Sequence, residues 1–379
     1  MKNLNIGIIQ QSPDIGGAET YMLSLMKEFR SNGNNIFFAC NQGKFLKAGK
    51  KIANESFEIP FILDIIGNYK GFIKSIILLP FAVIYYLKLL SDFKRKGVGI
   101  IIMSGFSEKM LVTILSPLFK IPVVWIEYSR LRIVFSRNFH IPKFLYLNLQ
   151  SLARKIVVPT NYAKSGLVEE GVKIKKTRVI LLGVDFKSER KFKKNNDSEF
   201  IIGNVSRLTR EKGQQYTIKA IPHVLKSIPN ARLMLVGDGP DRKYFEKLIK
   251  ELNIESSVEI VGFVKNTDSY YEKMDLFVFP TVWNMEGFGL VAVEALSYKI
   301  PVVANNIKPV SEVLNNLAAF TDVKNSKVLG DKIISLYNDP NKRIIAQKSY
   351  ERAKNIYDFK KNSNELFKLL FIEASNNKK

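Results

Sequence analysis

The feature that most constrains the fold is a recurrence of short segments, apolar at nearly every position and rich in isoleucine and valine, between longer stretches of helical periodicity. Residues 5–10, 36–40, 99–103, 123–127, 155–159 and 178–182 form one such series. Residues 200–205, 232–236, 258–261, 276–280 and 301–304 form a second. Strands that are apolar on both faces belong to parallel sheets covered by helices on each side. Between the two series lies a polar, charge-dense stretch, 187–199, with the composition of a linker. A chain of 379 residues exceeds one ordinary core. The expectation is an α/β protein of two Rossmann-like, doubly wound domains facing a cleft, residues 1–186 and 200–345, with a helical, Lys-rich tail over 346–379.

Charge narrows the choice of partners. The formal net charge is +23, from 58 Lys and Arg against 35 Asp and Glu, which favours phosphates, nucleic acid or an acidic lipid surface. A single cysteine, Cys40, rules out an internal disulfide and fits a reducing compartment. The apolar run within residues 1–10 is too short for a signal-peptide core, so a cytoplasmic location is expected. One further segment, 71–90, is long and apolar, and is followed by Asp92, Lys94, Arg95 and Lys96. Lys74, Pro80 and Lys88 interrupt it, and each lysine at mid-bilayer would cost about 2.5–3.5 kcal/mol. That leaves two readings: a helix lying in the membrane interface with its basic cluster at the headgroups, or a core helix of the first domain.

The most informative motif follows the strand at 276–280. Glu286-Gly-Phe-Gly-Leu-Val-Ala-Val-Glu294 carries a carboxylate at each end. Gly287 and Gly289, on either side of Phe288, permit close backbone approach to a ligand, and a helix starting near Gly289 would aim its N–H groups at an anion. Glu294, in the second turn, suits a ribose hydroxyl pair; Glu286, on the loop, suits sugar hydroxyls. A second cluster, 203–213, leaves the first strand of the second domain and carries Arg207 and Lys212, a forked cation and a point charge where open α/β sheets bind ligands. A third, Leu235-Val-Gly-Asp-Gly-Pro240, is a strand ending in a glycine turn at Gly237; with Arg242 in place of the third glycine it is no dinucleotide fingerprint. A fourth, Gly16-Gly17-Ala18-Glu19, opens a helix after the first strand.

Other chemistries lack their residues. Residues 43–49 have the wrong spacing for a Walker A loop. Two histidines, His140 and His223, and one cysteine supply no usual zinc ligand set. No Asp-x-Asp pair occurs, and no nucleophile elbow accompanies a Ser-His-Asp set.

Taken together, the glycine pair at 16–17, Arg207 and Lys212 within 203–213, the turn at 236–240, Val261-Gly-Phe-Val264 and above all the two-glutamate motif resemble glycosyltransferase family 4, the retaining enzymes of GT-B fold. The resemblance runs along the whole chain in order. It implies a final helix crossing back to the first domain, which would hold the acceptor, and a nucleotide sugar bound by the second. Arg207 and Lys212 would neutralise the diphosphate with backbone N–H groups of Gly289 and Leu290, Glu294 would hold ribose, Gly262 to Val264 would flank the base and Glu286 the transferred sugar. Gly17 would meet the phosphates from the first domain, and Gly237, Gly287 and Phe288 would complete the donor contacts. It also implies a metal-independent reaction without other cofactor, in which the leaving phosphate accepts the acceptor's proton. The acceptor is then a glycan or lipid-linked molecule of surface polysaccharide or lipopolysaccharide assembly, at the inner face of an anionic membrane. Two positions depart from the family pattern: Glu127 and Tyr128 stand where a histidine near the donor sugar is usual, making Glu127 a fourth catalytic candidate, and the loop before Asp185 retains only Gly183 and Asp185. The alternatives are a non-hydrolysing UDP-sugar epimerase of the same fold and a non-catalytic basic membrane- or nucleic-acid-binding module; the glycine-rich phosphate loops, which a basic module does not need, argue against nucleic acid as a partner.

Overall fold

In the computed structural model, which describes residues 3–186 and 199–376, each apolar series forms one parallel sheet. The chain divides into two units, Met1–Leu181 with Asn362–Lys379, and Leu182–Lys361. The expected linker, 187–199, lies outside the described residues except for Glu199.

The first unit holds a seven-stranded sheet in the order β3-β2-β1-β4-β5-β6-β7. The strands are β1 (Asn5–Ile9), β2 (Asn35–Asn41), β3 (Glu55–Ile59), β4 (Ile100–Met103), β5 (Val123–Ile126), β6 (Lys155–Val158) and β7 (Thr177–Val179). Every neighbouring pair is parallel, with Ile6 beside both Ile36 and Ile100. The order reverses between β1 and β4. Helix α1 (Gly17–Ser31) buries Tyr21, Met22, Leu25, Met26 and Phe29, one face at helical spacing. Helix α2 (Tyr69–Arg95) is capped by the Asn68 side chain, which accepts the Gly71 N–H. Helix α3 (Phe106–Leu115) follows β4.

Helix α2 answers the question left by residues 71–90 in an unexpected way. One stripe, Ala82, Tyr86, Leu89, Leu90 and Phe93, belongs to the core of this unit. Its most apolar 18-residue stretch is nevertheless only 28% buried, so a fully buried core helix is not what forms.

The second unit holds a six-stranded parallel sheet in the order β10-β9-β8-β11-β12-β13. Its strands are β8 (Phe200–Val205), β9 (Ala231–Val236), β10 (Val258–Gly262), β11 (Leu276–Phe279), β12 (Val302–Asn305) and β13 (Ala319–Thr321). Ile202, Leu233, Leu235, Leu276, Val278 and Val303 form the centre of its core. The order reverses between β8 and β11. Helix α4 (Leu290–Ser297) follows β11. The last helix, α5 (Phe359–Ser375), leaves the second unit and continues into the first. There Phe367 packs on Phe29 of α1, ring centres 5.8 Å apart, and Glu365 pairs with Arg178 of β7 at 3.3 Å. Gly183 is explained by this return: a Cβ there would lie 2.6 Å from the Phe359 Cα, because the chain at Val184 runs parallel to Asp358 as an isolated bridge.

Candidate active site

In the second unit the loops at the carboxyl ends of β8 and β11 meet at the reversal of strand order, where open α/β sheets leave room for ligands. The loop after β8 is held by side chains that no sequence pattern singles out. Buried Asn204 donates to the Val278 carbonyl at 3.0 Å, tying β8 to β11, and accepts from the Ser206 hydroxyl at 2.8 Å. The Gln214 amide donates to Ser206 Oγ at 2.7 Å and to the Arg207 carbonyl at 2.8 Å. The loop then docks on the next one, Val282 N–H donating to the Glu211 carbonyl at 3.0 Å. Gly213 is required where they touch: its φ is +79°, and a Cβ would stand 1.9 Å from the Pro280 carbonyl oxygen.

This bracing brings Lys212 and Glu286 together. Nζ lies 2.6 Å from Oε2, with the two side chains 22% and 11% exposed. The same ammonium lies 5.4 Å from the centre of the Trp283 ring, a cation–π contact. Sequence reasoning misses Trp283, although it sits three positions before Glu286; an aromatic in a loop has no period to betray it. Arg207 is exposed on the same loop as Lys212.

Glu294 sits in different company. It lies on α4, where the Tyr271 hydroxyl donates to its Oε2 at 2.8 Å. Burial pushes its carboxyl pKa up, the Tyr271 hydrogen bond opposes that rise, and the nearby Asp268 carboxylate adds to it. Tyr271 itself stacks on Tyr298 at 5.3 Å. It belongs to a four-residue helix, Asp268–Tyr271, too short to announce itself by periodicity. Gly289 caps α4 with φ +80°, and a Cβ there would press on the Phe279 ring at 2.9 Å. Phe288, expected among the ligand contacts, is instead buried and packs edge-on against Tyr357 at 5.4 Å, so its side chain anchors the loop from inside. Gly287 and Leu290 flank these anchors in the chain. Gly237 and Gly262 are brought side by side: the Gly237 N–H donates to the Gly262 carbonyl at 2.9 Å, with Val264 following on the same edge.

In the first unit Gly16 precedes α1, its N–H donating to Glu19 Oε2 at 2.9 Å, while Gln10 at the end of β1 donates to Oε1 at 2.9 Å. A Cβ on Gly17 would meet nothing within 4 Å, so the helix start is open there. Glu127 is a correction. Rather than reaching toward a sugar hydroxyl, its carboxylate is sealed in an ion pair with Lys109 at 2.6 Å, the two side chains 6% and 1% exposed. It also accepts the Tyr146 hydroxyl at 2.9 Å, and Lys109 donates to the Ile126 carbonyl at 2.8 Å. In the same unit the buried Gln10 Oε1, Ser104 Oγ and Tyr128 Oη, each just past the end of a central strand, have no hydrogen-bond partner. Among the described residues no group of three or more His, Cys, Asp or Glu side chains is placed to hold a metal ion.

Known proteins share this architecture. A crystal structure of Anabaena HepE in complex with UDP matches with a TM-score of 0.78 and 20% identity, over 97% of this chain and 99% of that one; the likeness establishes the GT-B fold. A Staphylococcus aureus capsular polysaccharide biosynthesis glycosyltransferase, CapM, is 30% identical over 173 residues, which is 45% of either chain. An uncharacterised glycosyltransferase of Methanocaldococcus jannaschii is 32% identical over 120 residues, 32% of this chain and 29% of that protein. The alignments thus span less than half of these curated relatives. The model described as Glycosyltransferase Family 4 matches residues 15–188, and the model described as Glycosyl transferases group 1 matches residues 185–355. The two matches follow one another along nearly the whole chain, which belongs to glycosyltransferase family 4.

Proposed function

We propose that this protein transfers a sugar, with retention of anomeric configuration, from a nucleotide sugar to a glycan or lipid-linked acceptor of surface polysaccharide assembly. The observation that carries the reading is the Lys212–Glu286 pair, partly exposed at the strand-order reversal of the second unit. A fixed ammonium beside a carboxylate offers a diphosphate its counter-charge and a sugar its hydrogen-bond acceptor in one place. HepE, of the same fold, was crystallised with UDP and with UDP-glucose.

In this reading Arg207 and Lys212 neutralise the diphosphate, aided by the N–H groups at Gly289 and Leu290 where α4 begins. Glu294, held by Tyr271, takes the ribose, and the edge formed by Gly237, Gly262 and Val264 takes the base. The bond from the anomeric carbon to the phosphate oxygen breaks as the acceptor oxygen attacks from the same face. The departing phosphate takes the acceptor's proton. Stabilising charge on that phosphate is then the protein's main contribution, and no separate cofactor is invoked. We assign the acceptor to the first unit, where the start of α1 is open at Gly17.

The test is a panel of UDP- and GDP-sugars scored for thermal stabilisation and for nucleotide release. A ligand at 100 times its Kd adds about 2.7 kcal/mol to the folded state. One donor class should stabilise the protein and release its nucleotide in the presence of acceptor, with the product sugar keeping the donor's configuration. A panel without any stabilising donor would refute the proposal, and an inverted product would refute retention.

A further inference from the structure

Helix α2 is apolar on two faces, but the domain covers only one. Its buried stripe ends in Tyr86, Leu89, Leu90 and Phe93 within the core. Its outward stripe carries Ile73, Ile76, Ile77, Phe81 and Ile84, with Ile77 73% and Ile84 68% exposed. A helix apolar all round is normally buried in protein or in lipid, and an exposed apolar patch of this kind marks an interaction surface.

A second element extends the patch. In the segment before the helix Ile141–Leu149, Asn138, Phe139 and His140 all have positive φ, 45°, 57° and 63°. Three successive non-glycine residues in the left-handed region form a strained turn, and it leaves Phe139 85% exposed. The turn is fixed to the loop that leads into α2: Arg137 donates to the Ile66 carbonyl at 2.7 Å and Asn138 to the Ile65 carbonyl at 2.8 Å. Phe139 is thereby presented beside the amino end of the helix.

Charge identifies the occupant. Exposed Lys70 and Lys74 lie at the amino end of the outward stripe and exposed Lys88 at its carboxyl end. In the basic cluster beyond, Arg95 pairs with Asp92, and Lys96 with Glu55 at 2.6 Å. An isoleucine- and phenylalanine-rich stripe bracketed by lysines, on a chain of net charge +23, complements an apolar layer beneath anionic headgroups. We propose that the outward stripe of α2 and Phe139 form a docking surface for an anionic lipid bilayer, with the helix lying in the plane of the interface. The helix is about 40 Å long at 1.5 Å per residue, enough to span. Spanning is excluded by its own packing, because withdrawing it would expose Tyr86, Leu89, Leu90 and Phe93. The lysines that meet headgroups are then Lys70, Lys74 and Lys88, rather than the partly paired cluster 94–96.

The experiment is flotation of the purified full chain with vesicles of phosphatidylcholine alone or containing about 30% phosphatidylglycerol, at about 0.15 M salt. The wild type should float with the anionic vesicles and be released by alkaline carbonate. Ile77→Glu combined with Ile84→Glu should reduce binding at least tenfold, and Lys74→Glu combined with Lys88→Glu severalfold on the anionic vesicles only. These side chains are exposed, so each variant should keep the wild-type melting temperature and so remain interpretable. Absence of wild-type binding, or unchanged binding by the isoleucine variant, would overturn the surface. So would a wild-type dimer in solution that the isoleucine variant converts to monomer, since a second copy would then be the occupant. Resistance to carbonate would overturn the in-plane orientation.

Discussion

A buried lysine–glutamate pair in the first unit and a partly exposed one in the second have the same length and differ in nearly everything else. Lys109 and Glu127 meet at 2.6 Å with side chains 1% and 6% exposed; Lys212 and Glu286 meet at 2.6 Å with side chains 22% and 11% exposed. The first pair spends its remaining hydrogen-bonding capacity inward, on Tyr146 and the Ile126 carbonyl. The second sits on loops at the carboxyl edge of its sheet, beside the Trp283 ring and within reach of water. Distance alone therefore does not distinguish an enclosed ion pair from an accessible one. Burial and the identity of the remaining partners do.

Removing one member of each pair tests that difference. Glu127→Ala leaves a buried ammonium without its counter-charge, which should cost about 3–5 kcal/mol of stability in urea unfolding. Lys109→Met together with Glu127→Gln, which keeps an acceptor for the Tyr146 hydroxyl, should recover at least half of that loss. A destabilisation near zero would break the comparison from the structural side. Lys212→Ala should lower the transfer rate about 100-fold, as loss of one transition-state donor does, with a stability loss of only about 1–3 kcal/mol because Glu286 can reach water.

A third carboxylate sharpens the contrast by titration. Glu108, at the start of α3, is buried, and burial raises its pKa from 4.5 to about 7, against the opposing hydrogen bond from the Gln11 N–H. The folded state holds this proton where the unfolded chain has lost it. The contribution to stability is thus complete below about pH 4.5 and declines as pH rises to about 7, by about 3 kcal/mol in total. Glu108→Gln should remove that decline, seen as a flatter profile of melting temperature against pH; parallel profiles would show that the group does not titrate there. The smallest effect belongs to Tyr271→Phe. Losing one hydrogen bond to Glu294 should weaken nucleotide affinity about fivefold, near 1 kcal/mol, and an unchanged affinity would separate Glu294 from the ribose.

Much of the fold is legible in the sequence, for identifiable reasons. Central strands such as β4 and β11 are short apolar runs because both faces are covered, and that pattern is visible in any window. The edge strands β3 and β13 escape the same reading. Glu55-Ser-Phe-Glu-Ile is half polar because an edge borders solvent, and Ala319-Phe-Thr is too short to show a period. The two-glutamate motif and Lys212 stand out because glycines punctuate them. Trp283 and Tyr271 do not, since what makes them matter is a partner distant in sequence or a loop geometry. Glu127 attracts notice only as a departure from the family pattern, and only packing reveals Lys109, from a different element, closing over it. In α2 the apolar run is plain, while which face the domain covers is set by tertiary contacts alone.

We assign donor binding to the exposed pair and a structural role to the buried one. Calorimetric titration of UDP and GDP into the wild type, Lys212→Ala and Glu127→Gln tests this division most directly. Whichever nucleotide binds the wild type should bind Glu127→Gln equally well and Lys212→Ala at least tenfold more weakly. Undiminished affinity in Lys212→Ala, or an equal loss in Glu127→Gln, would contradict it.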